Sequence, residues 1–148
     1  MKPTSPVPPQ PADPGRDPAL VCRLPSGLVF LCDMQYLRGY SILQADPQVE
    51  SINALDPQAR AVYLRDMVLI GDALLEVTGA YRINYATLGN SLAVLHTHIV
   101  PRYLSEPETL RLGGPWSYPQ KQIDALRFDA ERDRELMRQL AAAIQKRL

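Results

Sequence analysis

The stretch from Asp56 to Gly79 constrains the fold of this chain most. Asp56-Pro57 makes a helix start: an aspartate oxygen can accept an orphan amide proton, and proline has none to lose at the first helical position. Gly79 supplies a C-terminal stop, so the spacing predicts a helix that runs to Thr78. Val62, Tyr63, Met67, Ile70, Leu74 and Val77 fall on one stripe at three- and four-residue spacing, and Leu64, Val68 and Leu75 on a second. Only Gln58, Arg65, Asp72 and Glu76 make a clear polar face. A helix apolar on two sides needs two partners. A sheet is the first; the C-terminal helix or another subunit is the second.

The rest of the chain supplies that sheet. Gly27-Leu28-Val29-Phe30-Leu31, introduced by the Pro25-Ser26-Gly27 turn, reads as one strand, and Gly39 to Leu43 as its hairpin partner. Arg82 to Tyr85 reads as a third strand. After the polar turn Gly89-Asn90-Ser91, Val94 to Tyr103 reads as a fourth, ended by prolines and the Gly113-Gly114-Pro115-Trp116 loop. Asp129 can cap a helix to the C-terminus, with Leu136, Leu140, Ile144 and Leu148 on one face. The pattern is an α+β domain with an antiparallel sheet. It occupies residues 21–119, and residues 120–148 are expected to pack on it as a helical extension.

Half of the 14 prolines lie in the first 20 residues, where apolar residues are scarce. Such a segment cannot bury enough surface to offset its ordering entropy, so residues 1–20 read as a disordered or polyproline-like tail. It resembles a ligand for proline-binding modules only weakly, because no basic residue flanks a clear PxxP core. Sixteen basic residues balance sixteen acidic ones, which argues against broad nucleic-acid binding. Two cysteines make neither a disulfide scaffold nor a zinc ribbon. No apolar run resembles a signal peptide or approaches the length of a membrane span, so a cytoplasmic location is the expectation.

The chain has two histidines, His96 and His98. Residues two apart on a strand share a face, so both imidazoles point the same way, in line with Val94 and Val100. Such a pair can ligate a metal, join a nucleophile to its acid partner, or simply pack. A metal would need a third ligand; no other histidine exists and the cysteines lie far away in sequence, so an aspartate or glutamate would have to provide it, and a metal-dependent enzyme stays a third reading.

The flanking sequence bears on this choice. Asn84-Tyr85-Ala86-Thr87-Leu88-Gly89-Asn90-Ser91 precedes Val94-Leu95-His96-Thr97-His98-Ile99-Val100. This resembles the histidine triad (HIT) family, whose motif is His-x-His-x-His followed by two apolar residues. His96 and His98 match the middle and last histidines, and Gly89-Asn90-Ser91 matches the family's small polar turn. The resemblance runs from about Val21 to Trp116.

The resemblance implies a fold of about five antiparallel strands with a long helix, usually assembled as a homodimer. It also implies cleavage at the α-phosphate of a nucleoside phosphate, of dinucleoside polyphosphate or phosphoramidate type, by hydrolysis or nucleotidyl transfer. His96 would be the nucleophile that forms a nucleotidyl-histidine. His98 would contact the phosphate or leaving group. Asn84, Gly89, Asn90 and Ser91 would hold phosphate oxygens, and Asp33 the ribose hydroxyls. No cofactor or metal is implied. Two positions depart from the family pattern. Val94 stands at the first triad histidine, and Gly39 at an upstream histidine. Val94 still offers the carbonyl that orients the nucleophile in the family. A non-catalytic nucleotide-binding relative acting through partners is the alternative.

Plainer readings stand beside these. Asn84, Asn90 and Ser91 can serve turns and strand ends, and Asp33 can be a solvated loop acid. Trp116 reads as core packing ahead of a residue that closes the nucleotide site, Arg102 as one half of a surface pair ahead of a phosphate contact, and the cysteines as buried thiols. Tyr36, Tyr40 and Phe30 lie near the expected base pocket but read as hairpin core.

Overall fold

The computed structural model describes residues 17–148. The tail assigned to residues 1–20 therefore lies mostly outside the described residues. Five antiparallel strands form one sheet in the order β1-β2-β3-β5-β4. They are β1 (Leu20–Leu24), β2 (Gly27–Leu31), β3 (Ser41–Ala45), β4 (Arg82–Ala86) and β5 (His96–Arg102). With the helices they give the expected α+β architecture.

The first strand is an addition to the sequence reading. Leu20 pairs with Phe30, so the sheet begins inside the stretch assigned to the tail. The five residues of β1 lie between Pro18 and Pro25, and that punctuation hides so short a strand. A tight turn joins β1 to β2. An added Cβ at Gly27 would lie 2.0 Å from the Gln44 carbonyl oxygen on β3, so only glycine lets the strands approach there.

Helix α1 spans Pro57–Thr78, as its end signals predict. The Asp56 side chain accepts the Ala59 amide proton at 2.8 Å, and Gly79 closes the helix at φ 72°. Tyr63, Ile70 and Leu74 bury against Val29, Leu43 and Ile99 of the sheet. Asp66 is fully buried too. Its carboxylate accepts the Ser26 amide proton at 3.0 Å, tying the helix to the β1–β2 turn.

Helix α4 (Arg134–Gln145) joins the same core through Leu136, Leu140, Ala143 and Ile144. It starts later than the expected cap at Asp129. The Asp129 carboxylate instead accepts the amide protons of Glu131 and Arg132 within a turn. Two short helices, α2 (Glu108–Arg111) and α3 (Gln120–Ile123), lie in the segment between β5 and α4. Helix α4 supplies one further partner for α1, yet Leu64, Val68 and Leu75 stay exposed. Among the described residues, no helix is long and apolar enough to cross a membrane.

Alternation along β5 divides the sheet. Thr97 and Ile99 face α1, where the Tyr63 hydroxyl meets Thr97 Oγ1 at 2.7 Å. His96, His98, Val100 and Arg102 face the other way. There Val100 joins Cys32, Met34, Leu37, Tyr40, Ile42 and Ile123 in a second apolar cluster.

Candidate functional site

Strand pairing sets the two histidines side by side. His96 lies opposite Gln44 and His98 opposite Ile42 on β3, with Ala86 of β4 on the other side of His98. Both are buried, and their rings meet edge to face with centroids 5.1 Å apart.

Their anchors differ in kind. His96 Nδ1 lies 2.7 Å from the Val94 carbonyl oxygen. A carbonyl can only accept, so Nδ1 carries the proton and the Nε2 lone pair is left for chemistry. This bond uses the backbone, so valine serves at position 94 as well as any residue. His98 Nδ1 instead lies 2.8 Å from the Tyr40 hydroxyl. Burial, with His96 as a like-charged neighbour in second place, lowers the His98 pKa from 6.5 to about 3. His98 is therefore neutral at pH 7. It can share a proton through a hydrogen bond but cannot act as an imidazolium acid.

The hairpin ahead of β3 delivers Tyr40. Gln35 is buried, and its amide donates to the carbonyls of Cys32 and Tyr40, while its oxygen accepts the Gly39 amide proton at 3.0 Å. Gly39 turns the chain at φ 93°, a conformation that disfavours any side chain. The position that reaches the histidines is the next one, Tyr40. The upstream histidine expected at position 39 thus has no counterpart there, and a tyrosine hydroxyl engages His98. Trp116 adds an edge contact to His98 at 5.1 Å and donates its indole proton to the Tyr40 oxygen at 3.3 Å. Its ring is thus built around a histidine rather than buried as generic core.

The loop that carries Trp116 is held by Arg102. This residue is 2% exposed, which corrects the surface-pair reading. Its guanidinium pairs with buried Glu106 at 2.9 Å and donates to the carbonyls of Leu110 and Gly113 and to Asn84 Oδ1. Burial alone would raise the Glu106 pKa. Hydrogen bonds from Arg102, the Tyr118 hydroxyl and the Tyr103 amide outweigh it and hold the carboxyl below its ordinary 4.5. Tyr40 could not be matched to His98 from sequence because the two lie 58 residues apart, and Arg102 was read as a surface pair because nothing local shows that Glu106 and the Leu110 and Gly113 carbonyls close around it. The alternation that puts Arg102 on the histidine face was the one available signal.

The other expected contacts spread out. Gly89 and His96 line one cavity of about 130 Å³, together with Glu50, Ser51 and Asn53. Gly89 has φ 76°, fitting its turn. Asn90 and Ser91 follow it on the exposed surface. Asn84 shares the histidine face but turns its amide oxygen to Arg102. Asp33 pairs with Arg127 at 2.8 Å on the surface. Among the described residues, no three histidine, cysteine, aspartate or glutamate side chains converge as a metal site would require.

No protein-family model matches the chain, and neither does any curated protein. Solved structures do match. A histidine triad protein from Sinorhizobium meliloti is 24% identical, with 91% of this chain and 93% of that one covered and a TM-score of 0.70. One from Marinobacter aquaeolei is 19% identical, covering 86% and 88%, with a TM-score of 0.72. The diadenosine triphosphate hydrolase of Plasmodium falciparum is 14% identical, covering 88% and 78%, at 0.62. With its five-stranded antiparallel sheet, its long packed helix and these neighbours, the chain has the histidine triad fold.

Proposed function

We propose that the protein binds nucleoside phosphates and cleaves them at the α-phosphate through a nucleotidyl-histidine on His96. The observation that carries this reading is the 2.7 Å bond from His96 Nδ1–H to the Val94 carbonyl. It fixes the ring, assigns the tautomer and leaves Nε2 as the nucleophilic nitrogen without need of a separate base. In the first step Nε2 bonds to the α-phosphorus, and the bond from phosphorus to the leaving group breaks. In the second, water or another acceptor attacks the same phosphorus and frees His96. His98 donates a hydrogen bond to the phosphate or the departing atom. Gly89 at the His96 cavity, with Asn90 and Ser91 beside it, supplies small and polar groups for phosphate oxygens. For Asn84 and Asp33 to reach the nucleotide, Asn84 must release or share Arg102, and Asp33 must release or share Arg127.

The working form in this proposal is a cytoplasmic homodimer. Leu64, Val68 and Leu75 on α1 are 37–46% exposed, and Tyr81 and Tyr85 at the free β4 edge are 38% exposed. A second copy would cover this apolar surface. Sedimentation at micromolar concentration should give twice the 16.5 kDa chain mass.

Incubation with a panel of dinucleoside polyphosphates and adenosine phosphoramidate tests the reaction. Release of a nucleoside monophosphate supports it. Nucleotide binding with no cleavage of any panel member favours the non-catalytic alternative, in which the same face recognises a nucleotide and a partner reads the bound state.

A further inference from the structure

The reaction scheme leaves open which nitrogen of His98 holds the proton, and what decides it. Trp116 Nε1–H can only donate, and it points at the Tyr40 oxygen at 3.3 Å. The Tyr40 hydroxyl has one proton of its own. Two acceptors lie in reach of it, His98 Nδ1 at 2.8 Å and the thiol of buried Cys32. A thiol sulfur is a weak acceptor, and this one already takes the Met34 amide proton at 3.4 Å. An imidazole nitrogen is much the stronger acceptor. Tyr40 itself is fully buried and fixed by the Gln35 bracket on its backbone, so the hydroxyl cannot rotate away to water.

We propose that Tyr40 is a positioning residue for His98: it accepts the Trp116 indole proton, donates its own to His98 Nδ1, and so holds His98 as the Nε2–H tautomer. The two histidines then carry opposite tautomers. His96 has its proton on Nδ1 and presents a lone pair, while His98 has its proton on Nε2 and presents a donor. One nucleophile and one hydrogen-bond donor arise from identical side chains two residues apart. The backbone sets the first and the Tyr40 hydroxyl sets the second. This deepens the proposed reaction and rests on it for the use made of the donor, though not for the tautomer itself.

Nitrogen NMR of the full chain labelled at histidine tests it. Only two imidazoles contribute, so each is assigned by one substitution. The expected spectrum shows a proton on Nδ1 of His96 and, at pH 7, a neutral His98 with its proton on Nε2. Tyr40→Phe keeps the ring but removes the hydroxyl, and the His98 Nδ1 resonance should then move to that of a nitrogen without a hydrogen bond. Trp116→Phe leaves the Tyr40 donation in place, and His98 should stay Nε2–H. With a substrate that the wild type cleaves, Tyr40→Phe should lower kcat by about tenfold and leave KM within about twofold, since the loss is one oriented donor. An Nδ1–H signal for His98 in the wild type overturns the proposal, and so does a His98 spectrum that Tyr40→Phe leaves unchanged. The wild-type spectrum decides even if a variant fails to fold. The tautomers are read with no substrate present, so failure of the panel to be cleaved sinks the reaction and not this assignment.

Discussion

The two faces of β5 are built by different means. Toward α1, Ile99 lies among Tyr63, Ile70, Leu74 and Leu140, and the chief polar contact is the hydroxyl pair of Tyr63 and Thr97. Toward the other face, His96, His98 and Arg102 are each buried and each tied to a specific partner. The apolar face is tolerant, because dispersion and burial are non-directional and neighbours can shift slightly. The polar face is not, because a buried donor or charge that loses its partner bears its full desolvation cost. A strand can thus carry chemistry on one side while the other side supplies stability.

This contrast sets an order of effects. Arg102→Ala should be the most destructive single change away from the histidines. It strands the Glu106 carboxylate and frees the carbonyls of Leu110 and Gly113, at a cost of about 3–5 kcal/mol in chemical unfolding. A loss below about 1 kcal/mol would mean that the polar face is as forgiving as the apolar one.

The next effect is in pH. The folded chain keeps His98 neutral down to about pH 3, whereas the unfolded chain protonates it near 6.5. Between these values the unfolded state binds the extra proton, so stability falls as pH is lowered, by up to about 1.4 kcal/mol per pH unit. Unfolding free energies from urea titration at pH 7 and pH 5 should differ by about 2 kcal/mol more in the wild type than in His98→Gln. Equal pH dependence in the two proteins would contradict the burial argument for His98.

On the apolar face, Ile99→Val removes one methylene from a tolerant site and should cost about 1 kcal/mol. A larger loss, comparable with that of Arg102→Ala, would erase the distinction between the faces. Smallest of all is Asp33→Ala. The Asp33–Arg127 pair is well exposed on both sides, so thermal stability should change by less than about 0.5 kcal/mol.

The same contrast explains what could be read from the chain. Helix α1 was legible because its signals are local: Asp56, Pro57 and Gly79 mark the ends, and its stripe has the helical period. The histidine pair was legible because a period of two puts both rings on one face. Tyr40 was visible as hairpin core near the expected base pocket and not as a partner of His98, since their meeting joins residues 58 apart in sequence. Arg102 resembled any surface cation until Glu106 and the 110–113 carbonyls closed around it. Strand β1 went unread between two prolines, and α4 began later than Asp129 suggested because the Asp129 carboxylate is taken by the amides of Glu131 and Arg132 in the turn ahead of the helix. Periodic apolar patterns report their partners; buried polar groups reveal theirs only after folding.

The central claim is that His96 bonds to phosphorus, and mass spectrometry of the reaction tests it most directly. A cleaved panel substrate, quenched without acid and digested, should leave a nucleotidyl adduct on the peptide containing His96, and none in His96→Ala. That variant should lose at least about 10³-fold in turnover, roughly 4 kcal/mol of barrier, while nucleotide binding largely survives. Near-normal cleavage by His96→Ala, or an adduct on any other residue, would contradict the covalent account.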